Sequence, residues 1–321
     1  MKVYEDLPKT KRITAIIVNY KTYKLTLDCL KALIDQLDFR KDLVIIVDNG
    51  SSDVSVDKFK DFINEREISS YVKIRELPSN VGFSESNNIA IKENGSEFYL
   101  LLNTDVILKE RCIEKLFNAI NERSNVGLIA PRLEWPDGRA QVNTRRFLKP
   151  INEFISASGT GLITRLFKDQ DVIMPIPNEP AEAEWISFSC VMIKKEVIDS
   201  VGLLEKYFMY FDDIDYCRRA WGKGLKVLYW PEARAVHLKG SSSKIHSCAR
   251  KPNYYYESRA KYFAKFYGIT GLWLANILWE LGRLISLFRE LLGNKKPHTR
   301  KYEWLDIWTN CFNPMRRSKY L

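Results

Sequence analysis

Apolar residues in the first 130 positions fall in short solid runs, separated by stretches with helical spacing. Residues 13–19 (ITAIIVN) and 43–48 (LVIIVD) are β-branched and almost wholly apolar, as strands buried on both faces require. Between them Leu25, Leu27, Leu30, Leu33, Ile34 and Leu37 recur near the helical period. Runs at 71–77, 98–103 and 126–130 predict further strands, and 55–66, 84–93 and 110–122 predict helices. This alternation predicts an α/β sheet with helices on both faces. Such sheets bind ligands at the carboxyl ends of their strands. Polar residues gather there: Asn19-Tyr20, Asp48-Asn49-Gly50 and Asn103-Thr104-Asp105.

The second half is less regular. Residues 132–180 carry many turn residues and predict long loops, 185–194 predict a strand, and 225–230 predict another closed by Pro231. Between those two strands lies Phe208-Met-Tyr-Phe-Asp-Asp-Ile-Asp-Tyr-Cys-Arg-Arg219, with three carboxylates in four positions. Crowded, desolvated carboxylates are costly and need a cation, a proton or a substrate hydroxyl. Such a group also has a raised pKa, which suits a general base near neutral pH. A solvated acidic turn capping a helix would use the same residues.

Four other stretches carry candidate chemistry. Asp48-Asn49-Gly50-Ser51-Ser52-Asp53 follows a buried strand and offers a carboxylate to a base or ribose, and N–H groups to an anion. Asn80-Val81-Gly82-Phe83, running on to Asn87-Asn88, opens a helix on a glycine and ends on paired amides. Asp105 sits just past an apolar strand and fits a lone carboxylate ligand for a hard divalent ion. His237 is one of three histidines and precedes Gly240-Ser-Ser-Ser243, whose hydroxyls and N–H groups suit a phosphate. Each alone is also explained by ordinary turns, caps and structural hydrogen bonds.

Composition narrows the class. Six cysteines at 29, 112, 190, 217, 248 and 311 show no paired spacing, as expected of reduced cytosolic thiols and not of a zinc site. The first residues lack the apolar core of a signal peptide, and no run is apolar enough to span a bilayer. Between Gly240 and Leu321 fifteen Lys/Arg face five Asp/Glu, which accounts for the whole net charge of +10. That places an anionic surface against the tail and argues against nucleic acid bound across the main domain.

The ordered series VDNGSSD, NVGFSESNN, LLNTD, FDDID with RRA, and HLKGSSS resembles the inverting glycosyltransferases of family 2, which have the GT-A fold. The resemblance runs from about Ile13 to Ser243. Val18-Asn19-Tyr20, Ala130-Pro131-Arg132-Leu133-Glu134-Trp135-Pro136-Asp137-Gly138 and Arg145-Arg146-Phe147 resemble its rhamnosyltransferase-like branch. The resemblance implies a mixed sheet flanked by helices over 13–250, with a nucleotide-sugar half (13–125) and an acceptor half (126–250). An N-terminal arm (1–12) precedes it and a helical extension (251–321) follows.

It also implies roles. Asp48 would hold the donor's base or ribose, lined by Asn19 and Tyr20. Asn80, Gly82, Phe83 and Asn87 would shape the donor site, with Asn103, Thr104 and Ser242 nearby. Asp105, with His237, would hold Mg²⁺ or Mn²⁺ on the donor diphosphate, although Asn103 replaces the first acid of the metal motif. Asp213 would be the base, tuned by Asp212 and Asp215, with Arg218 or Arg219 pairing with them. Arg146 would bind substrate. Trp185, just before the strand leading to the carboxylates, would stack on an acceptor sugar or serve as a core tryptophan. The expected donor is dTDP-rhamnose, with a UDP- or GDP-sugar as the alternative, and the expected acceptor is a saccharide, lipid-linked in a cell-surface polysaccharide. A non-catalytic glycan-assembly partner and a nucleotidyltransferase are the competing classes.

In the tail, residues 254–267 interleave aromatics with Arg259, Lys261 and Lys265, and 271–292 are apolar but broken by Glu280, Arg283, Arg289 and Glu290. Tryptophans among basic residues suit an interfacial helix on an anionic leaflet, ending in Arg316-Arg317-Ser318-Lys319. The expectation is a cytoplasmic protein, peripheral at the inner face of the membrane. A helical hairpin packed on the catalytic domain or on a second subunit, as in a homodimer, is the alternative.

Overall fold

Strand β1 (Lys11–Asn19), helix α1 (Tyr23–Ile34), strand β2 (Leu43–Asp48), helix α2 (Ser55–Glu65), strand β3 (Val72–Glu76), helix α3 (Gly82–Glu93) and strand β4 (Ser96–Leu102) form the first half. In this computed structural model residues 10–238, 249–293 and 299–315 are described. Ser242, Cys248 and Arg316–Lys319 lie outside them. Strand β1 begins at Lys11, inside the expected N-terminal arm, because Arg12 is held by Asp42 at 2.9 Å.

The strand residues alternate between two cores. Ile13, Ala15 and Ile17 face one side with Val44, Ile46, Leu30, Leu33, Phe59 and Leu116. Ile16, Leu43, Ile45 and Val47 face the other with Ile91, Tyr216 and Cys217. A run apolar at every position is what two covered faces demand.

Strand β5 (Val106–Leu108), helix α4 (Cys112–Asn121), strand β6 (Val126–Glu134), the short strand β7 (Thr144–Arg145), helices α5 (Pro150–Ser158) and α6 (Gly161–Leu166), and strands β8 (Ala181–Ala183), β9 (Trp185–Ile186) and β10 (Cys190–Lys194) follow. Helices α7 (Lys195–Val201) and α8 (Asp212–Trp221), strand β11 (Lys226–His237), and helices α9 (Asn253–Gly293) and α10 (Glu303–Thr309) complete the chain. The main sheet runs β3-β2-β1-β4-β10-β6-β11-β5, with β8 added beside β11. Strands β1 to β4 are parallel, and β10 runs antiparallel between β4 and β6. The two halves of the chain therefore share one sheet.

Three expectations are corrected. The segment 132–180 is not all loop: β6 runs to Glu134, and β7, α5 and α6 fall within it. The strand expected over 185–194 is two strands, because Ser187 turns back on Asn143 Oδ1 at 3.0 Å. Pro231 does not close the last strand. It sits in an irregularity between Trp230 and Arg234, beyond which β11 resumes to His237, the kind of break where a sheet tolerates proline.

Helix α9 bends at Gly268, whose φ of 71° interrupts the helical backbone. Arg259 Nη1, before the bend, donates to Asn276 Oδ1, after it, at 2.8 Å, so the two halves fold back on each other. Tyr262, Phe263, Leu272 and Ala275 form their seam with Ile214 of α8.

Candidate active site

Strand register builds the donor end. Asn19 and Asp48 end adjacent strands in direct register. Asn19 Nδ2 donates to Asp48 Oδ1 at 2.7 Å, and Ser51 Oγ donates to the same oxygen at 2.6 Å. Asn19 Oδ1 accepts from the hydroxyls of Thr22 and Thr26. Asn19 is thus buried and fully engaged, a brace for Asp48, while Tyr20 beside it is exposed.

The loop into α3 is tied to that turn by Asn49, which sequence reasoning did not single out. Its Nδ2 donates to Asn80 Oδ1 at 2.9 Å and its Oδ1 accepts from the Val81 N–H at 2.8 Å. Gly82 has φ of 81°, and a Cβ there would lie 2.3 Å from the Phe208 carbonyl oxygen. That carbonyl accepts from the Phe83 N–H at 2.8 Å. Gly82 therefore lets α3 touch the segment leading to the carboxylates, and Phe83 packs against the core. Asn87 donates to the Phe83 carbonyl at 2.9 Å, and its buried Oδ1 has no partner among the described residues. A buried, unsatisfied amide oxygen is a candidate acceptor for a ligand N–H or hydroxyl.

Asp105 and His237 meet across strands β5 and β11, whose register pairs Val106 with His237. His237 Nε2 lies 3.6 Å from Asp105 Oδ1. Gln141 sets the ring. Its Nε2 donates to the His237 carbonyl at 2.7 Å and to the Glu134 carbonyl, so its Oε1 is the atom 3.1 Å from His237 Nδ1. An amide oxygen only accepts, so Nδ1–H donates to Gln141 and Nε2 is the ring nitrogen that faces Asp105. Ligands about 2.1 Å from one ion stand roughly 3–4 Å apart, so this pair fits a divalent cation whose remaining ligands come from a diphosphate and water. Thr104 is buried beside Thr22, and Asn103 is bound through its N–H to the Ser189 carbonyl at 2.9 Å.

The carboxylates open α8 after two left-handed residues, Tyr210 and Phe211 with φ of 68° and 65°. Non-glycine residues in that region store strain, which collects at functional sites. Burial pushes Asp213 up to about 6, against the Ile214 N–H, which donates at 2.8 Å, and against Arg145. Burial and then the charge of Asp213 push Asp212 well above the usual carboxylate range. Asp215 is different. It is fully buried and accepts from Arg219 Nε at 2.6 Å, Lys265 Nζ at 2.7 Å and Tyr207 Oη at 3.1 Å. Arg219 pairs with it as expected, and Asp215 anchors the fold of this loop.

Two arginines named as substrate residues have partners within the fold. Arg146 turns away and donates to the Asp171 carbonyl at 2.9 Å. Its neighbour Arg145 is paired in register with Trp185, lies 5.2 Å over its ring and feels the charge of Asp213. Adjacent residues of a strand face opposite ways, so the choice between them waits on register. Arg218 is enclosed by Phe147, Phe266 and Tyr267 and donates to Tyr262 Oη at 3.0 Å, which fixes the tail to α8 instead of serving the carboxylates. Trp185 Nε1 donates to the Arg146 carbonyl at 2.8 Å, so its ring is held in place beneath Arg145.

Asn19, Asp48 and Asp105 thus lie at or just past the carboxyl ends of strands β1, β2 and β4 of one sheet, and Asp213 opens helix α8. Residues 14–180 match the family model described as glycosyl transferase family 2. The chain belongs to this family. Among family 2 relatives it is 26% identical over 70% of its length to the low-salt glycan biosynthesis hexosyltransferase Agl10 of Haloferax volcanii, of which it spans 66%. It is 24% identical over 78% of its length to the N-acetylglucosaminyl-diphospho-decaprenol L-rhamnosyltransferase of Mycobacterium tuberculosis, covering 82% of it. It is 26% identical over 77% of its length to dTDP-rhamnosyl transferase RfbF of Shigella flexneri, covering 77% of it. Two of these three are named as rhamnosyl transferases, which supports the rhamnosyltransferase-like branch.

Solved structures agree on the GT-A architecture. GalNAc-T7 with UDP, GalNAc and Mn²⁺ superposes with a TM-score of 0.59 at 14% identity, over 94% of this chain and 56% of that one. Staphylococcus aureus TarS in complex with UDP-GlcNAc gives a TM-score of 0.56 at 14% identity, over 95% of this chain and 82% of that one.

Proposed function

We propose that this family 2 enzyme is an inverting, divalent-metal-using transferase that moves L-rhamnose from dTDP-rhamnose to a hydroxyl of a saccharide acceptor. The observation that carries the chemistry is Asp213, a carboxylate pushed up to about 6 by burial against the charge of Arg145, which itself lies over the Trp185 ring. A pKa near the working pH is what a general base needs.

In this reading the donor half, 13–125, binds the nucleotide, with Asp48 held rigid by Asn19 and Ser51 so that its carboxylate meets the base or ribose. Asn87 offers its unsatisfied oxygen to the donor. Asp105 and His237 would hold Mg²⁺ or Mn²⁺, which when bound stabilises the charge of the leaving diphosphate. In the acceptor half, 126–250, Trp185 stacks on the acceptor sugar and Arg145 keeps Asp213 ionised enough to accept a proton. Asp213 takes the proton of the acceptor hydroxyl as its oxygen bonds to the anomeric carbon from the face opposite the diphosphate. The C–O bond to the diphosphate breaks, and one displacement through an oxocarbenium-like transition state inverts that carbon.

The donor sugar is supported by the names of the Mycobacterium and Shigella relatives, and the Haloferax hexosyltransferase supports a UDP- or GDP-hexose as the alternative. The Mycobacterium relative's name also supports a lipid-linked acceptor. With it comes a place in cell-surface polysaccharide synthesis, with the chain peripheral at the cytoplasmic face of the membrane through 251–321. Release of nucleoside diphosphate from dTDP-rhamnose, UDP-glucose, UDP-galactose and GDP-mannose, with Mn²⁺, Mg²⁺ or chelator, tests this reading. Turnover of dTDP-rhamnose alone, lost in chelator, is expected. Turnover of another donor would move the assignment to that sugar, and binding of no donor would overturn the transferase reading.

A further inference from the structure

Ser187-Phe188-Ser189, the turn between β9 and β10, touches both ends of the candidate site. Strand β10 starts at Cys190, opposite Leu102 of β4, so Ser189 stands beside Asn103, two residues before Asp105. The Ser189 carbonyl accepts from the Asn103 N–H at 2.9 Å, and Ser189 Oγ accepts from Asn103 Nδ2 at a long 3.5 Å. On the other side, the Phe188 backbone N–H favours the charged form of Asp213. The Phe188 ring meets Tyr216, one turn further along α8, edge to face with 6.0 Å between centroids. Three consecutive residues thus reach from the strand that leads to Asp105 to the helix that carries Asp213.

The turn is braced from behind. The Ser187 N–H donates to Asn143 Oδ1 at 3.0 Å, and Asn143 Nδ2 donates to the Pro131 carbonyl at 3.2 Å. Asn143, Phe188 and Ser189 are buried, whereas Ser187 is half-buried. A polar group held in this way needs little further ordering when a ligand arrives.

Ser187 Oγ and Ser189 Oγ lie 3.0 Å apart. Each hydroxyl has one proton and two lone pairs, so the contact between them uses one proton of the two. Buried polar groups are satisfied within the protein. Buried Ser189 therefore gives its proton to Ser187 Oγ, which also accepts from the Ser189 N–H at 3.3 Å. The proton left over belongs to Ser187, at the more open end of the pair, and no acceptor for it stands among the described residues. With both lone pairs of Ser187 Oγ taken, that hydroxyl is a donor only.

Position selects what it donates to. In the proposed reaction the diphosphate lies at Asp105 and the attacking hydroxyl at Asp213, and the sugar being transferred lies between them. We propose that Ser187 is a donor-sugar binding residue, its O–H donating to an oxygen of the transferred sugar seated on the 187–189 turn. The inference rests on the transferase reading and adds to it a residue that recognises the sugar and not the nucleotide.

Calorimetry in Mn²⁺ with the full chain separates the two parts of the donor. Ser187→Ala should weaken binding of dTDP-rhamnose, or of whichever nucleotide sugar the wild type turns over, by about two- to tenfold. Binding of the matching nucleoside diphosphate, which has no sugar to transfer, should be unchanged and reports that the variant is folded. Ser189→Ala breaks the same serine pair but keeps the Ser187 O–H, so it should lose less. Equal weakening of nucleotide sugar and bare diphosphate, no weakening at all, or equal loss in the two variants would overturn the inference. Wild-type protein that binds no nucleotide sugar would sink the transferase reading and this inference together, whereas donor binding untouched by Ser187→Ala would remove this inference alone.

Discussion

Lys265 Nζ lies 2.7 Å from Asp215 Oδ2, so the tail reaches the helix that carries the candidate base. The same ammonium is 2.9 Å from Glu205, which it and Lys261 hold down at about 2 against the effect of burial. Lys265 is a positioning residue that fixes the first turn of α8. Lys265→Met should cost about 1–3 kcal/mol of stability. It should also lower kcat with little change in donor KM and move the acid limb of the kcat profile upward, because the less compensated Asp215 adds to the charge around Asp212 and Asp213. Lys265→Arg should restore the profile. A lower melting temperature with an unmoved pH profile would contradict the positioning role.

Asp213→Asn should trade activity for stability. Loss of a general base costs about 10²–10⁴ in rate. The folded pKa of about 6 lies above the ordinary carboxylate value. The cost of burying the charge is therefore fully present above pH 6 and disappears as pH falls toward 4. The amide should raise stability by about 1–2 kcal/mol near pH 7.5, with no gain at pH 4. Denaturant melts at both pH values check the sign.

Arg145 faces the same carboxylate from strand β7. Arg145→Met removes the nearest cation, so the pKa governing wild-type transfer, expected near 6, should rise. The variant should lose activity most steeply below pH 7 and recover part of it at higher pH. An unshifted profile would show that Arg145 serves the acceptor alone.

Gln141 offers a test of the metal pair that leaves both ligands in place. Gln141→Leu frees the His237 ring, and outer partners of this kind are worth about 10–100-fold in metal affinity. Mn²⁺ titration by calorimetry in the presence of nucleoside diphosphate should show that weakening. Asp105→Ala should abolish the binding, and chelator should stop turnover in the wild type.

How much of this was legible in the sequence differs by residue. Apolar runs such as LVIIVD announced buried parallel strands because both faces are covered, and their polar ends, Asn19 and Asp48, met in register. Asp213 stood out because three carboxylates fall in four positions, and the ordered motifs around it separated a site from a capping turn. Asn49, Gln141 and Lys265 did not, since each acts on a partner 31 to 96 residues away and nothing local marks it. Arg145 beside Trp185 was not singled out, because a two-residue strand has too little pattern to show which side each arginine faces. Segment 132–180 hid its helices behind turn residues: α5 has Ile151, Phe154 and Ile155 at helical spacing but is only nine residues long, between Pro150 and Gly159.

The central claim is that Asp213 drives a single displacement on the donor's anomeric carbon. The most direct test is the anomeric configuration of the transferred sugar, read by NMR on product made from dTDP-rhamnose by wild type and by Asp213→Asn. Wild type should give product of inverted configuration, and the variant almost none. Retained configuration, or unimpaired product from Asp213→Asn, would contradict it.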